Sequence, residues 1–233
     1  MNSLEILNML ENRGHARCNA FGIRYAFQNK RFDYLILMDG DGEDRPVEIK
    51  SLINSIINNP HVSVVAKRIK RSEGPLFQFM YKVHKLVTFV FTGKNINFGN
   101  YCILTKEDVE KIHSKASLWS SFSGTLKKNI QPLNNINSIR GKRYYGPSKM
   151  SLVKLLIHSF SIIAVFKYQV FLRSTFMIVL LAIFNTYLKN FSASLQILIV
   201  IFNLIIFVVS LREKEKDLMN SHKNLSNTES VKH

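Results

Sequence analysis

Cysteine is scarce: the 233 residues contain two, Cys18 and Cys102, with no metal-ligand spacing around either. A disulfide scaffold and a zinc site are therefore excluded as organising features, and both thiols read as reduced, partly buried small residues. The histidines His15, His61, His84, His113 and His158 are dispersed, which argues against a multihistidine metal centre. No spacing supports a serine–histidine–acid grouping. Tryptophan occurs once, and the remaining aromatics are assigned to packing or an interface rather than to base stacking. Acid is in short supply too, with 16 Asp and Glu against 32 Lys and Arg. Anionic partners are expected from that balance, although charge alone does not separate nucleic acid, anionic lipid and phosphorylated substrate. The N-terminus has early acids and no uninterrupted apolar core, which argues against a cleaved signal peptide.

Charge is absent altogether from "STFMIVLLAIFNTYL" and "LQILIVIFNLIIFVVSL". So much apolar surface needs a cover, and two transmembrane helices are expected over 174–211. Lys167 and Arg173 before the first, and Arg212, Lys214 and Lys216 after the second, place both flanks and both termini in the cytoplasm. Residues 149–173 read as an interfacial amphipathic segment and 212–233 as a disordered polar tail. Residues 1–148 read as α/β. Leu4–Gln28 is mostly compatible with helix, broken near Gly14. "FDYLILM" is a buried strand, "PVEIKSLINSIINN" a proline-led amphipathic helix and "HVSVVAKR" a second strand, a unit that predicts a parallel sheet. "GPLFQFMYKVHKLVTFVFTG" predicts a helix packed on the sheet or lying near lipid. Thr105 is expected to cap a helix, with Asp108 three residues on, another helix runs from Trp119 to Lys128, and Asn134, Asn135 and Asn137 mark a surface turn.

The scarce acids are concentrated in one place. "LILMDGDGEDRP" sets Asp39, Asp41, Glu43 and Asp44 at the carboxyl end of a strand, where open α/β sheets form ligand crevices. Its glycines ease the turn. Crowded carboxylates become useful once a hard cation such as Mg2+ or Mn2+ compensates them; an ordinary acidic surface turn is the competing reading. The bases cluster likewise. "KRIKRSEG" carries Lys67, Arg68, Lys70 and Arg71, and "RGKRYYGPSK" carries Arg140, Lys142, Arg143 and Lys149. Either group reads as a phosphate site or a solvated charge run, and the second as a lipid-headgroup contact. The acidic turn and the apolar runs argue against nucleic acid as a partner.

In that order these motifs resemble the family 2 inverting glycosyltransferases, especially the membrane-attached polyprenyl-phosphate type similar to dolichol-phosphate mannose synthase. "NRGHARCNAFGIRYAF" resembles the helix before the metal strand, "LILMDGDGEDRP" the Asp-x-Asp loop, "VVAKRIKRSEG" the basic segment, and "RYYGPSK" the Arg-x-x-Gly-x-Ser-Lys signature. The resemblance implies an incomplete Rossmann-like A-type domain, N-terminally truncated, followed by the interfacial and membrane helices. It implies Asp39 near the nucleotide, Asp41 as metal ligand with Asp39 and Glu43, Arg68 or Arg71 facing phosphate groups, and Arg143 with Lys149 at the acceptor. The implied activity is metal-dependent transfer from a nucleotide-sugar donor to a membrane lipid phosphate, a polyprenyl phosphate, for envelope glycan synthesis. Self-association as a homo-oligomer is left open. The alternative is an inactive homologue serving as membrane scaffold or regulatory subunit. "NINFGNYCIL" lacks the aspartate that relatives carry there, so no general base is identified.

Overall fold

The computed structural model describes residues 3–70, 75–146, 151–188 and 190–231. The chain enters as a strand, β1 (Leu4–Met9), where the start of a broken helix was expected. Only the following stretch is helical, as α1 (His15–Asn29). Local pattern misled here because the partner that makes β1 a strand lies at the far end of the chain. Next come β2 (Tyr34–Leu37) and, after a 3-10 turn over Pro46–Glu48, α2 (Ile49–Asn58). β3 (Val64–Lys70), α3 (Pro75–Thr92), β4 (Phe98–Thr105), α4 (Lys106–Ile112) and α5 (Phe122–Asn129) follow. Thr105 caps α4 as expected, its Oγ1 accepting from the Asp108 N–H at 3.2 Å.

The main sheet has the order β2-β4-β3-β5, in which β5 is Asn134–Ile139. The expected parallel sheet is corrected in one respect. β2 and β3 run the same way, but β4 is inserted between them antiparallel to both, and only β3 and β5 pair in parallel. The asparagines expected to mark a turn belong to β5, an edge strand whose outward positions can stay polar. Alternation along β4 divides the core into two layers. Cys102 and Leu104 face α1, α4 and α5, packing with Ala20, Val109 and Leu126. Tyr101 and Ile103 face α2, with Leu52 and Ile56. Each aliphatic side chain buried this way contributes about 1.5–3 kcal/mol relative to exposure.

Beyond the domain lie α6 (Leu152–Ala164), α7 (Lys167–Ile183), the short α8 (Asn185–Leu188) and α9 (Asn190–Ser210). Among the described residues one helical stretch, Asn190–Met219, is long and apolar enough by itself to cross a membrane. α6 and α7 pass the same test only as a pair, bent by 86°. α7 and α9 are antiparallel: Lys167 Nζ meets Glu213 Oε2 at 3.1 Å at one end, and Ser192 Oγ donates to the Leu181 carbonyl at 2.7 Å at the other.

The segment expected to be a disordered tail is ordered. It forms α10 (Glu215–Met219), a 3-10 turn and β6 (Leu225–Val231), which pairs antiparallel with β1. Leu218, fully buried, joins the core beside Trp119. The tail is polar because it forms one strand of a two-stranded ribbon and needs few buried side chains.

Candidate active site

The acidic turn is built by its own side chains. Asp44, only 3% exposed, closes it: Oδ2 accepts from the Asp39 N–H at 3.0 Å, and Oδ1 faces Arg68 Nη2 at 3.3 Å. Burial pushes the Asp44 carboxyl above its ordinary range, opposed by the Asp39 amide and Arg68. Asp41 Oδ1 accepts from the Glu43 N–H at 3.0 Å, which throws the intervening Gly42 to φ 91°. That backbone conformation is one that side-chain-bearing residues adopt only with strain.

A second segment is strapped over the turn. Glu48, at the start of α2, is buried and accepts from Ser138 Oγ at 2.6 Å and from the Ile139 N–H at 3.0 Å, so it fixes where β5 ends. The chain leaving β5 then crosses the acidic turn. The Gly141 N–H donates to the Glu43 carbonyl at 2.8 Å, and the Tyr144 N–H to the Asp41 carbonyl at 2.9 Å. Both glycines are needed for the fit. A Cβ on Gly42 would lie 2.8 Å from the Tyr144 ring, and one on Gly141 would collide with the Gly42 carbonyl. Charge reinforces the strap: Arg140 pairs with Glu43, while Arg143 reaches Glu43 Oε1 through Nε at 3.0 Å and Asp41 Oδ2 through Nη2 at 3.1 Å.

Of the residues singled out in the sequence, Asp39, Asp41, Glu43, Arg68 and Arg143 therefore come together in one cleft. Arg71 and Lys149 lie outside the described residues. Glu43 is engaged by two guanidinium groups, and Arg68 is balanced by Asp44. Among the described residues no group of three or more His, Cys, Asp or Glu side chains is arranged to hold a metal ion.

Sequence reasoning missed several members of the site. Asn100 donates from Nδ2 to Asp39 Oδ1 at 3.2 Å and lies 2.6 Å from His15 Nε2. His15 opens α1 behind a turn in which Asn12 Oδ1 accepts from the Gly14 N–H at 2.9 Å and Gly14 takes φ 89°. The Tyr101 hydroxyl donates to the Arg45 carbonyl at 2.7 Å, and burial, with Glu48 and Asp44 nearby, pushes its phenol up to about 12. The one available signal was the "NFGN" stretch, where a glycine among polar residues at a strand's start marks a close approach.

Asp39, Asp41, Glu43, Arg143, Asn100 and His15 line one end of a cavity of about 1800 Å3. Its other end is walled by Phe79, Val83, Val87 and Phe91 of α3, Phe160 of α6 and Phe202 of α9. The cleft is thus charged beside the acidic turn and apolar beside the long helices.

Residues 3–131 match the sequence profile of glycosyl transferase family 2. The chain belongs to that family. No curated protein matches it. Membership in family 2 gives the cleft its general chemistry, the transfer of a glycosyl group from a nucleotide-sugar donor to an acceptor, and the match includes the acidic turn, Arg68 and Asn100.

Proposed function

We propose that this family 2 glycosyltransferase is membrane-attached and transfers its sugar, with inversion, to a lipid phosphate of the polyprenyl type in envelope glycan synthesis. The cavity of about 1800 Å3 carries this reading, because its lining joins the acidic turn to an apolar wall supplied by the long helices. A sugar or a soluble alcohol gains nothing from that wall; a lipid chain does. The acceptor oxygen attacks the anomeric carbon as the nucleoside diphosphate leaves. A phosphate oxygen is already anionic and attacks without losing a proton, so this acceptor needs no general base in place of the aspartate that "NINFGNYCIL" lacks. Holding donor and acceptor in one cleft supplies much of the rate.

Mg2+ or Mn2+ suits the donor chemistry of Asp39 and Asp41, hard carboxylate oxygens at a turn. Glu43 suits it less, since its carboxylate is committed to Arg140 and Arg143. When bound, the cation supplies charge compensation for the departing diphosphate. The chain's own residues do the rest. Asp44 fixes the turn, Asn100 orients Asp39, and Arg143, held by Glu43, is a cation available to an acceptor phosphate in the same cavity.

For the membrane, α7 and α9 are roughly 26 Å and 32 Å long at 1.5 Å per residue, near the bilayer core thickness of about 30 Å. β6 pairs with β1, so the chain returns to the side it left, and a hairpin with both termini cytoplasmic satisfies this. The test is release of nucleoside diphosphate by purified full-length protein given sugar-nucleotide donors, divalent cation and polyprenyl phosphate. No turnover across donors and acceptors sinks the proposal. Membrane binding with no donor binding would favour the scaffold reading, which the arginine-paired state of Asp41 and Glu43 otherwise motivates.

A further inference from the structure

The stretch Phe98–Gly99–Asn100 looks, from the sequence, like a site defined by a missing aspartate. In the fold it gathers donors. Asn100 Nδ2 stands 3.2 Å from Asp39 Oδ1 and 2.6 Å from His15 Nε2. An ionised carboxylate can only accept, so the Asn100 atom facing Asp39 is the amide nitrogen. The same nitrogen faces His15, and Nε2 must then carry the lone pair. The proton of neutral His15 consequently resides on Nδ1, as a second donor.

Gly99 contributes by what it lacks. The Arg68 guanidinium lies against it, and a Cβ there would stand 3.3 Å from Nη2. α6 adds His158 to the lining of the same cavity. Burial pushes the His158 imidazole down to about 4, and the charges of Arg68 and Arg212 add to the effect. His15 of α1, Arg68 of β3, Asn100 of β4 and His158 of α6 thus line one cavity, which Phe160 lines as well. Converging donors of this kind recognise a phosphoryl group.

We propose that His15, Arg68 and His158 form a phosphoryl-binding subsite beside the acidic turn, in which Asn100 holds His15 as a neutral Nδ1–H donor. It rests on the glycosyl-transfer reading above for the origin of its ligand, which can be the lipid phosphate of the acceptor or the diphosphate of the donor. The experiment uses the full chain in lipid nanodiscs, titrated separately with a short polyprenyl phosphate, the matching polyprenol and a nucleoside diphosphate. His15→Ala and His158→Ala are each expected to weaken polyprenyl-phosphate binding about tenfold or more, the loss of one hydrogen bond to a charged group, and to leave polyprenol binding unchanged. His15→Asn, whose amide nitrogen replaces the Nδ1–H, recovers most of it. Should only nucleoside diphosphate binding fall, the subsite stands with the donor as its source, and the lipid-acceptor reading loses its support. Unchanged affinity for both phosphates, or an equal loss for the polyprenol, overturns the subsite. Nitrogen-15 shifts of His15 give a separate check: an Nε2–H tautomer in the wild-type chain overturns the role assigned to Asn100.

Discussion

Glu43 is the residue on which the strap over the acidic turn depends, and replacing it isolates that dependence. Its carboxylate takes Arg140 and Arg143, and its side chain is 14% exposed, so the contacts are only partly screened by water. Glu43→Gln keeps the shape and removes the charge. A hydrogen bond to a charged group contributes about 1.5–3 kcal/mol. Arg143 keeps Asp41 as a partner, and the Gly141 and Tyr144 amides keep their carbonyl acceptors, so the net loss is about 2 kcal/mol rather than the sum of two such bonds. That shifts the opening equilibrium of the strap by roughly thirtyfold. Trypsin reads it directly, because Arg140, Lys142 and Arg143 all lie in the strap. Where opening and closing are fast relative to cleavage, the rate follows the open population, and the variant is expected to be cut in this segment about thirtyfold faster. Cleavage elsewhere should be unchanged. An unaltered rate at these three sites would mean that the backbone bonds alone hold the strap, and the electrostatic account of Glu43 would be wrong.

Other outcomes are equally specific. Asp41→Ala should abolish divalent-dependent donor binding in equilibrium dialysis while leaving the protein in the membrane fraction. Gly42→Ala meets both a positive φ and the Tyr144 ring; a loss of about 1–3 kcal/mol is expected from the backbone alone, read by thermal unfolding, and Tyr144→Ala should relieve only the steric part. Arg143→Ala should impair use of lipid phosphate more than donor binding, and equal effects on both would remove its assignment to the acceptor. His158, held near 4 in the fold against an ordinary 6.5, refuses a proton that the unfolded chain accepts. Stability should therefore fall as pH drops from 6.5 to about 4, and His158→Gln should flatten that part of the profile in unfolding measured at successive pH values.

The acidic turn was legible because it is local: a β-rich run, alternating carboxylates and glycines, then a proline that starts a helix, all within "LILMDGDGEDRP". Thr105 as a cap was legible for the same reason. The strap was not, since Arg143 and Glu43 are 100 residues apart, and neither was the pairing of His15 with Asn100 across 85. β5 and β6 escaped notice through their composition. Both are edge strands that bury little, so their asparagines and serines resemble turn and tail. The parallel sheet failed at β4, whose insertion between β2 and β3 is a matter of topology rather than of any residue in the strands themselves.

Arg143 cannot serve Asp41 and an acceptor phosphate at once. In the structure its Nη2 neutralises Asp41 at 3.1 Å, and its Nε holds Glu43 at 3.0 Å. In the proposed reading a divalent cation, with twice the charge in less volume, would compete with Arg143 for the Asp41 carboxylate. Asp39 and Asp41 would hold such a cation, and the Arg143 Nε pair with Glu43 is independent of Asp41. That pair keeps the Arg143 guanidinium in the cavity that Phe79, Phe160 and Phe202 also line. On this reasoning the third acid of the turn is there to hold a basic side chain within reach of the second substrate. If Asp39 and Asp41 hold the cation as proposed, Glu43 serves the turn through its pairs with Arg140 and Arg143 instead.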